Sequence, residues 1–202
     1  MSGKVGTAEK VGIDLPDDHD ALRSFGGYRI LEAYAHHADE DVFEDTRKRV
    51  SIAMRRFPEF GGETITIAAR EPWDEKLGRA DMRNRIVYLP TEHASSWTTV
   101  YHELAHLAIQ IRDERGDDVA PSSERYTGLF GVARMPAEHV DEQRIPYFDC
   151  TYCRTPEYIP VVARHALAYR QAHHDYHQQA IRWIEAEDDL PDEDPEFPEA
   201  IR

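Results

Sequence analysis

The sequence predicts one α+β domain, and three observations carry that expectation. Two short runs near the middle of the chain alternate apolar and polar residues as strands do. The segments on either side repeat their apolar residues at helical spacing, giving the order helix, strand, strand and then several helices. The chain has 202 residues, 41% of them hydrophobic, which is enough for one core and too little for two ordinary domains.

Residues 1–20 mix Gly, Asp, Pro and Lys without periodicity and are expected to form a loose arm. From Asp20 to Ala38, Leu22, Phe25, Ile30, Leu31 and Tyr34 fit a helix that Gly26-Gly27 interrupts. Glu40 to Phe57 reads as a second helix, stopped by Pro58 and Gly61-Gly62. Thr64 to Ala68 alternates strictly and Arg85 to Leu89 is a second strand ended by Pro90, with Pro72 to Arg83 joining them as a loop or hairpin. Thr91 or Ser95 can cap the next helix, which carries Trp97, Tyr101, Leu104, Ala108 and Ile111 on one face and ends near Arg112 before Gly116. A further helix opens at Pro121-Ser122-Ser123-Glu124 and closes at Pro136. After an irregular stretch from Ala137 to Pro160, a last helix is expected from Ile159 to Glu187. The domain proper thus covers 21–187, followed by an acidic, Pro-rich tail over 188–202 read as disordered.

Charge narrows the function classes. Lys plus Arg number 24 against 39 Asp plus Glu, for a net −15, and only four of the basic residues are Lys. No basic patch interrupts this excess, so a nucleic-acid partner is not expected. No window is apolar enough to span a membrane, and the first residues lack the apolar core of an export signal. The expected setting is the cytoplasm. Dispersed acids with Arg in place of Lys look like proteins of salt-loving archaea, where such charge serves solubility. Cys150 and Cys153, spaced C-x2-C with no second such pair, read as thiols outside any four-ligand zinc site.

One motif carries chemistry. His102-Glu103-Leu104-Ala105-His106 is H-E-x-x-H and lies inside the strongest helix. Residues four apart stand one turn above each other, so both imidazoles can share a metal ion. Glu103 is turned away from that pair yet stays within reach of a metal-bound water, from which a carboxylate can take a proton. Chance alone yields this pattern in about 6% of chains with this His and Glu content, and Leu104, Leu107 and Ala108 strengthen it by carrying the helix into the core. His173 and His177 are also four apart, but no Glu follows the first, and their polar neighbours point to a solvated helix face.

A catalytic zinc usually takes three protein ligands. Glu124, in the first turn of the next helix, is the leading candidate for the third, with Glu138, His139 and Asp141 as alternatives. Gly128 and Gly131 form a side-chain-free stripe beneath Glu124 that would let its helix lie close against the motif helix.

A strand ending Arg85-Ile86-Val87-Tyr88-Leu89-Pro90, then the H-E-x-x-H helix, then Glu124 on another helix resembles the gluzincin branch of zinc metallopeptidases over residues 40 to 135. In size and element order the chain is most similar to the minimal archaeal minigluzincins, and zincin domains of antirestriction-type proteins share the strand–helix run. The resemblance implies a zincin-like α+β fold. A small antiparallel or mixed sheet would pack on the H-E-x-x-H helix and on a second helix carrying the Glu ligand. It implies Zn2+ held by His102, His106 and Glu124, with Glu103 as general base and acid, and an edge strand that pairs with an extended peptide. Larger gluzincins often place an acid where Gly128 stands here, so support for the histidines must come from elsewhere. Tyr126, His139, Tyr147, Tyr152 and Tyr158 are open candidates for stabilising an oxyanion. The expected activity is hydrolysis of a peptide or protein substrate. The alternative is a non-proteolytic binding module of antirestriction or regulatory type, its metal structural or idle.

Overall fold

The computed structural model describes residues 22–25, 27–70, 76–117, 119, 123–141, 145–150, 155–171, 173–186 and 188–191. The expected N-terminal arm and positions 192–202 of the tail lie outside them. The architecture is α+β, with a five-stranded mixed sheet and six α-helices among the described residues.

The chain enters the sheet as a hairpin. Strands β1 (Leu22–Phe25) and β2 (Tyr28–Leu31) pair antiparallel with Phe25 opposite Tyr28, and Gly27 between them takes φ 91°. A tight hairpin connection favours such a positive φ, which glycine adopts without strain. This corrects the helix expected from Asp20. Tyr28 and Ile30 fit an alternating pattern as well as a helical one, and both are buried once β2 pairs with a strand over thirty positions away. Only Glu32–His37 remains helical, as α1.

Helix α2 (Glu40–Met54) buries Phe43, Thr46, Val50, Ala53 and Met54, a stripe at three- and four-residue spacing. Strands β3 (Ile65–Ala69) and β5 (Ile86–Leu89) fall where alternation placed them. Between them β4 (Arg79–Asp81) folds back on β5. The strand order is β1-β2-β3-β5-β4, parallel through β2, β3 and β5 and antiparallel at both edges. Ile30, Ile67, Val87 and Leu89 join the main core, whereas Ala68, Ile86 and Tyr88 form a small cluster of their own. In β4, Ala80 packs on the main core, while Arg79 lies over the Tyr88 ring.

Helix α3 (Trp97–Arg115) carries the motif and α4 (Glu124–Val132) follows it. Ser96, and neither Thr91 nor Ser95, caps α3, its hydroxyl accepting from the Thr99 amide at 3.0 Å. Asp141 adds a distant cap, accepting from the Trp97 amide at 2.8 Å and from the Thr98 hydroxyl at 2.5 Å. At the other end Gly116 takes φ 81°, the left-handed conformation that closes a helix. Ser123 caps α4 by accepting from the Tyr126 amide at 3.2 Å.

The last helix is two. Helix α5 (Ile159–Arg170) packs on α4, and α6 (Tyr176–Ile184) packs back on α5 after a turn. The folding-back lets Trp183 meet both His165 and Tyr169, an apolar gain a straight helix could not make. Beyond α6, the Asp188 carboxylate accepts from Gln179 at 2.9 Å and the Asp189 carbonyl from the Trp183 indole at 3.2 Å. No helix among the described residues is long and apolar enough to cross a membrane.

Candidate metal centre

His102 and His106 stand one turn apart on α3, their rings edge-to-face with centroids 4.8 Å apart. Glu124 opens α4, and its Oε2 lies 3.0 Å from His102 Nε2 and 3.4 Å from His106 Nε2. Two residues bring these elements together. A Cβ on Gly131 would stand 2.9 Å from the Tyr101 carbonyl oxygen and 3.4 Å from the Ala105 methyl, so only glycine lets α4 approach α3 this closely. Ser123 then starts α4 at the position that puts Glu124 over the histidines.

The donor set fits a metal ion. Burial pushes the His102 imidazole down to about 4, the neighbouring His106 adding to this and Glu124 opposing it. Burial lowers His106 as well, with Glu124 opposing. Both rings are therefore neutral at pH 7, the state in which imidazole ligates. Ligands about 2.0–2.1 Å from a tetrahedral ion stand about 3.3–3.4 Å apart, close to the two separations from Glu124, and all three donors lie within 4.8 Å of one another. Among the described residues no other group of His, Cys, Asp or Glu converges in this way.

The alternatives for the third ligand have other places. Asp141 caps α3, His139 stacks on Trp97 with centroids 3.7 Å apart, and Glu138 is exposed beside it. The break between α5 and α6 separates His173, stacked on Tyr169, from His177, which lies against Tyr176 and Phe148. Cys150 is half-buried against the core, and Cys153 lies outside the described residues.

Around the three donors is a cleft of about 730 Å³. Glu103 lines it from α3, buried beside the histidines. The segment leading into β4 forms the facing wall, and Gly78 presses on Glu103. A Cβ there would lie 2.8 Å from Glu103 Cγ and 3.0 Å from its Oε1. Arg70 holds this wall, donating to the Lys76 carbonyl at 2.7 Å while paired with Glu92 at 3.3 Å. Neither Gly78 nor Arg70 was legible as part of a site, since no local pattern links them to residue 103.

Of the tyrosines and histidine considered for the oxyanion, Tyr147 lines the cleft. Its ring lies 4.8 Å from that of His102, and its backbone takes φ 64°. Gly128 contributes here rather than at the α3 contact, because its missing side chain makes room for the Pro146 carbonyl, 2.9 Å from where a Cβ would be. Tyr126 is buried against Phe130, Tyr158 is exposed on a separate turn, and Tyr152 lies outside the described residues. Support for the histidines comes from the residue before Gly128. The Thr127 hydroxyl stands 3.5 Å from His106 Nδ1, whereas buried His102 Nδ1 has no hydrogen-bond partner among the described residues.

No protein-family model matches the chain, and no curated protein or solved structure matches it either.

Proposed function

We propose that this chain is a zincin-like, zinc-dependent peptidase of gluzincin type. The observation that carries the reading is the convergence of His102 Nε2, His106 Nε2 and Glu124 Oε2 in a cleft that also holds Glu103. His102, His106 and Glu124 would hold a zinc ion, which would supply the Lewis acidity that polarises a peptide carbonyl and acidifies water. Glu103 takes the proton of the attacking water and returns it to the leaving amine. Tyr147 donates from the cleft edge to the oxygen that gains negative charge. Among the described residues strand β4 has a neighbour on one side only, so its free edge can pair with the backbone of an extended peptide and lay it across the cleft.

Zinc content of protein purified in high salt tests the centre. The expected result is one zinc per wild-type chain, lost on Glu124→Ala. Chelation should stop cleavage of an unfolded substrate protein, and added zinc should restore it. A folded chain that takes up no zinc sinks the proposal. Bound zinc without cleavage of any unfolded substrate transfers the protein to the binding-module reading.

Gly78→Ala probes the geometry around Glu103. The added methyl forces the carboxylate to move, and misplacement of a catalytic group by about 1 Å costs roughly a hundredfold in rate. Turnover should fall by about one to two orders of magnitude with zinc content and unfolding midpoint unchanged. Full activity in this variant would show that the close approach of Gly78 is without consequence.

A further inference from the structure

Away from the metal centre, the second half of α2 runs against the chain's acidic excess. Between Thr46 and Pro58 stand Arg47, Lys48, Arg49, Arg55 and Arg56 and no acidic residue, which corrects the expectation that no basic patch interrupts that excess. This part of the chain lies alongside the first turns of α3. The Arg49 guanidinium donates to the Ser95 carbonyl and stands 5.6 Å from the centre of the Trp97 ring. Phe57, next to Arg56, packs on Tyr101 with ring centroids 5.9 Å apart. The turn Ala137–His139 closes the third side, its His139 stacked on Trp97. None of these residues lines the metal cleft.

Two kinds of uncommitted group meet there. Lys48 and Arg56 are exposed and make no ion pair or hydrogen bond among the described residues. Burial lowers the His139 imidazole, Glu138 opposes this, and Arg56 and Lys48 add to it, so both cations lie within electrostatic reach of that ring. Glu138, and Asp45 one turn back on α2, are paired with neither cation, and Asp141 is taken up by the α3 cap. The second kind of group is buried. The Tyr101 hydroxyl and His139 Nδ1 have no hydrogen-bond partner among the described residues, although Tyr101 is wholly enclosed. Arg56 and Glu138 are the charges that act on that hydroxyl, so it points toward the junction of α2 with the 137–139 turn. An unpaired buried polar atom is costly, and such atoms mark where a water or an ion belongs.

We propose that Lys48, Arg49, Arg56, His139 and the Tyr101 hydroxyl form a site for a phosphate group. The site does not depend on the peptidase reading. Burial holds the Tyr101 phenol far above its ordinary range, so it stays protonated and donates. Arg49 has donors beyond the one given to Ser95. Three cations and two neutral donors exceed what one carboxylate can balance, whereas a phosphate brings about two negative charges and three strong acceptor oxygens. A long polyanion fits less well, because the rest of a chain with net charge −15 repels it.

The test titrates the full chain with inorganic phosphate by calorimetry, at fixed ionic strength and the lowest salt that keeps the chain folded. One phosphate per chain is expected. Lys48→Gln combined with Arg56→Gln should weaken it by about tenfold or more, the worth of hydrogen bonds to a charged group. Arg55→Gln, which removes an exposed cation on the Tyr28 side of α2, should change the affinity by less than about twofold. Tyr101→Phe should weaken binding severalfold without lowering the phosphate-free unfolding midpoint, because the lost hydroxyl has no partner in the free chain. Phenyl phosphate titrated beside the inorganic ion identifies the source. Tighter binding of the ester assigns the group to an organic ligand and tighter binding of the ion to free phosphate, and both uphold the site. Absence of binding, binding that survives the double substitution, unchanged affinity in Tyr101→Phe, or acetate held as tightly as phosphate overturns it.

Discussion

For the proposed peptidase, Glu103→Gln is expected to lower turnover by about a thousandfold or more and to leave zinc uptake unchanged. The amide is nearly isosteric with the carboxylate and cannot accept the proton of the attacking water, and loss of general acid–base catalysis costs roughly 10²–10⁴ in rate. Glu103 is buried in the wall of the cleft and is not one of the three converging donors, so the proposed zinc centre would not draw on its charge. The check is a pair of measurements on one preparation, zinc per chain and kcat on a cleaved substrate. Retained cleavage would falsify the assignment of Glu103 as the base. Loss of zinc together with activity would mean that Glu103 supports the donors rather than the water.

The largest expected loss of stability lies away from the cleft. Arg134, just past the end of α4, is almost wholly enclosed, its guanidinium 3.8 Å from the Phe130 ring and 5.1 Å from that of Phe57. Burial pulls this group down to about 10, against the opposing charge of Glu59, which receives its hydrogen bond at 2.5 Å. Glu59→Ala leaves that cation buried without its counter-charge, a change that costs about 3–5 kcal/mol. For a chain of this length the unfolding midpoint should drop by about 10 °C. Combining Glu59→Ala with Arg134→Met should recover much of the loss, since replacing both members of a buried pair by apolar groups is often neutral. Denaturant unfolding at one fixed salt concentration measures both. A single variant within about 0.5 kcal/mol of wild type would show that the buried cation finds other compensation.

Features within one element were legible in the sequence. The strict alternation of Thr64 to Ala68 and the apolar run Ile86 to Leu89 became β3 and β5. Ser123 and Gly116 punctuate their helices as their chemistry predicts. Errors arose where two periods fit equally well or where partners were distant. Tyr28 and Ile30 suit a helix or a strand, and pairing with β3 decided for the strand. The three residues of β4 are too short to show any period, and they form a strand because β5 offers them an edge. A helix-compatible run from Ile159 onward breaks because folding back buries Trp183.

The same division runs through the candidate centre. The sequence alone determined that His102 and His106 share a helix face and that Glu103 stands beside them. Helical hydrogen bonds join residues four apart, so local spacing sets side-chain direction. It also determined the chain's acidic character and its lack of a long apolar span. Only the tertiary structure decided that Glu124, rather than Asp141 or His139, reaches the two imidazoles. It alone set Gly78 against Glu103 and Tyr147 beside His102. These neighbours belong to different elements, and their separations follow from how closely backbones pack. Gly131 against Tyr101 and Gly128 against Pro146 control that packing at the two decisive contacts.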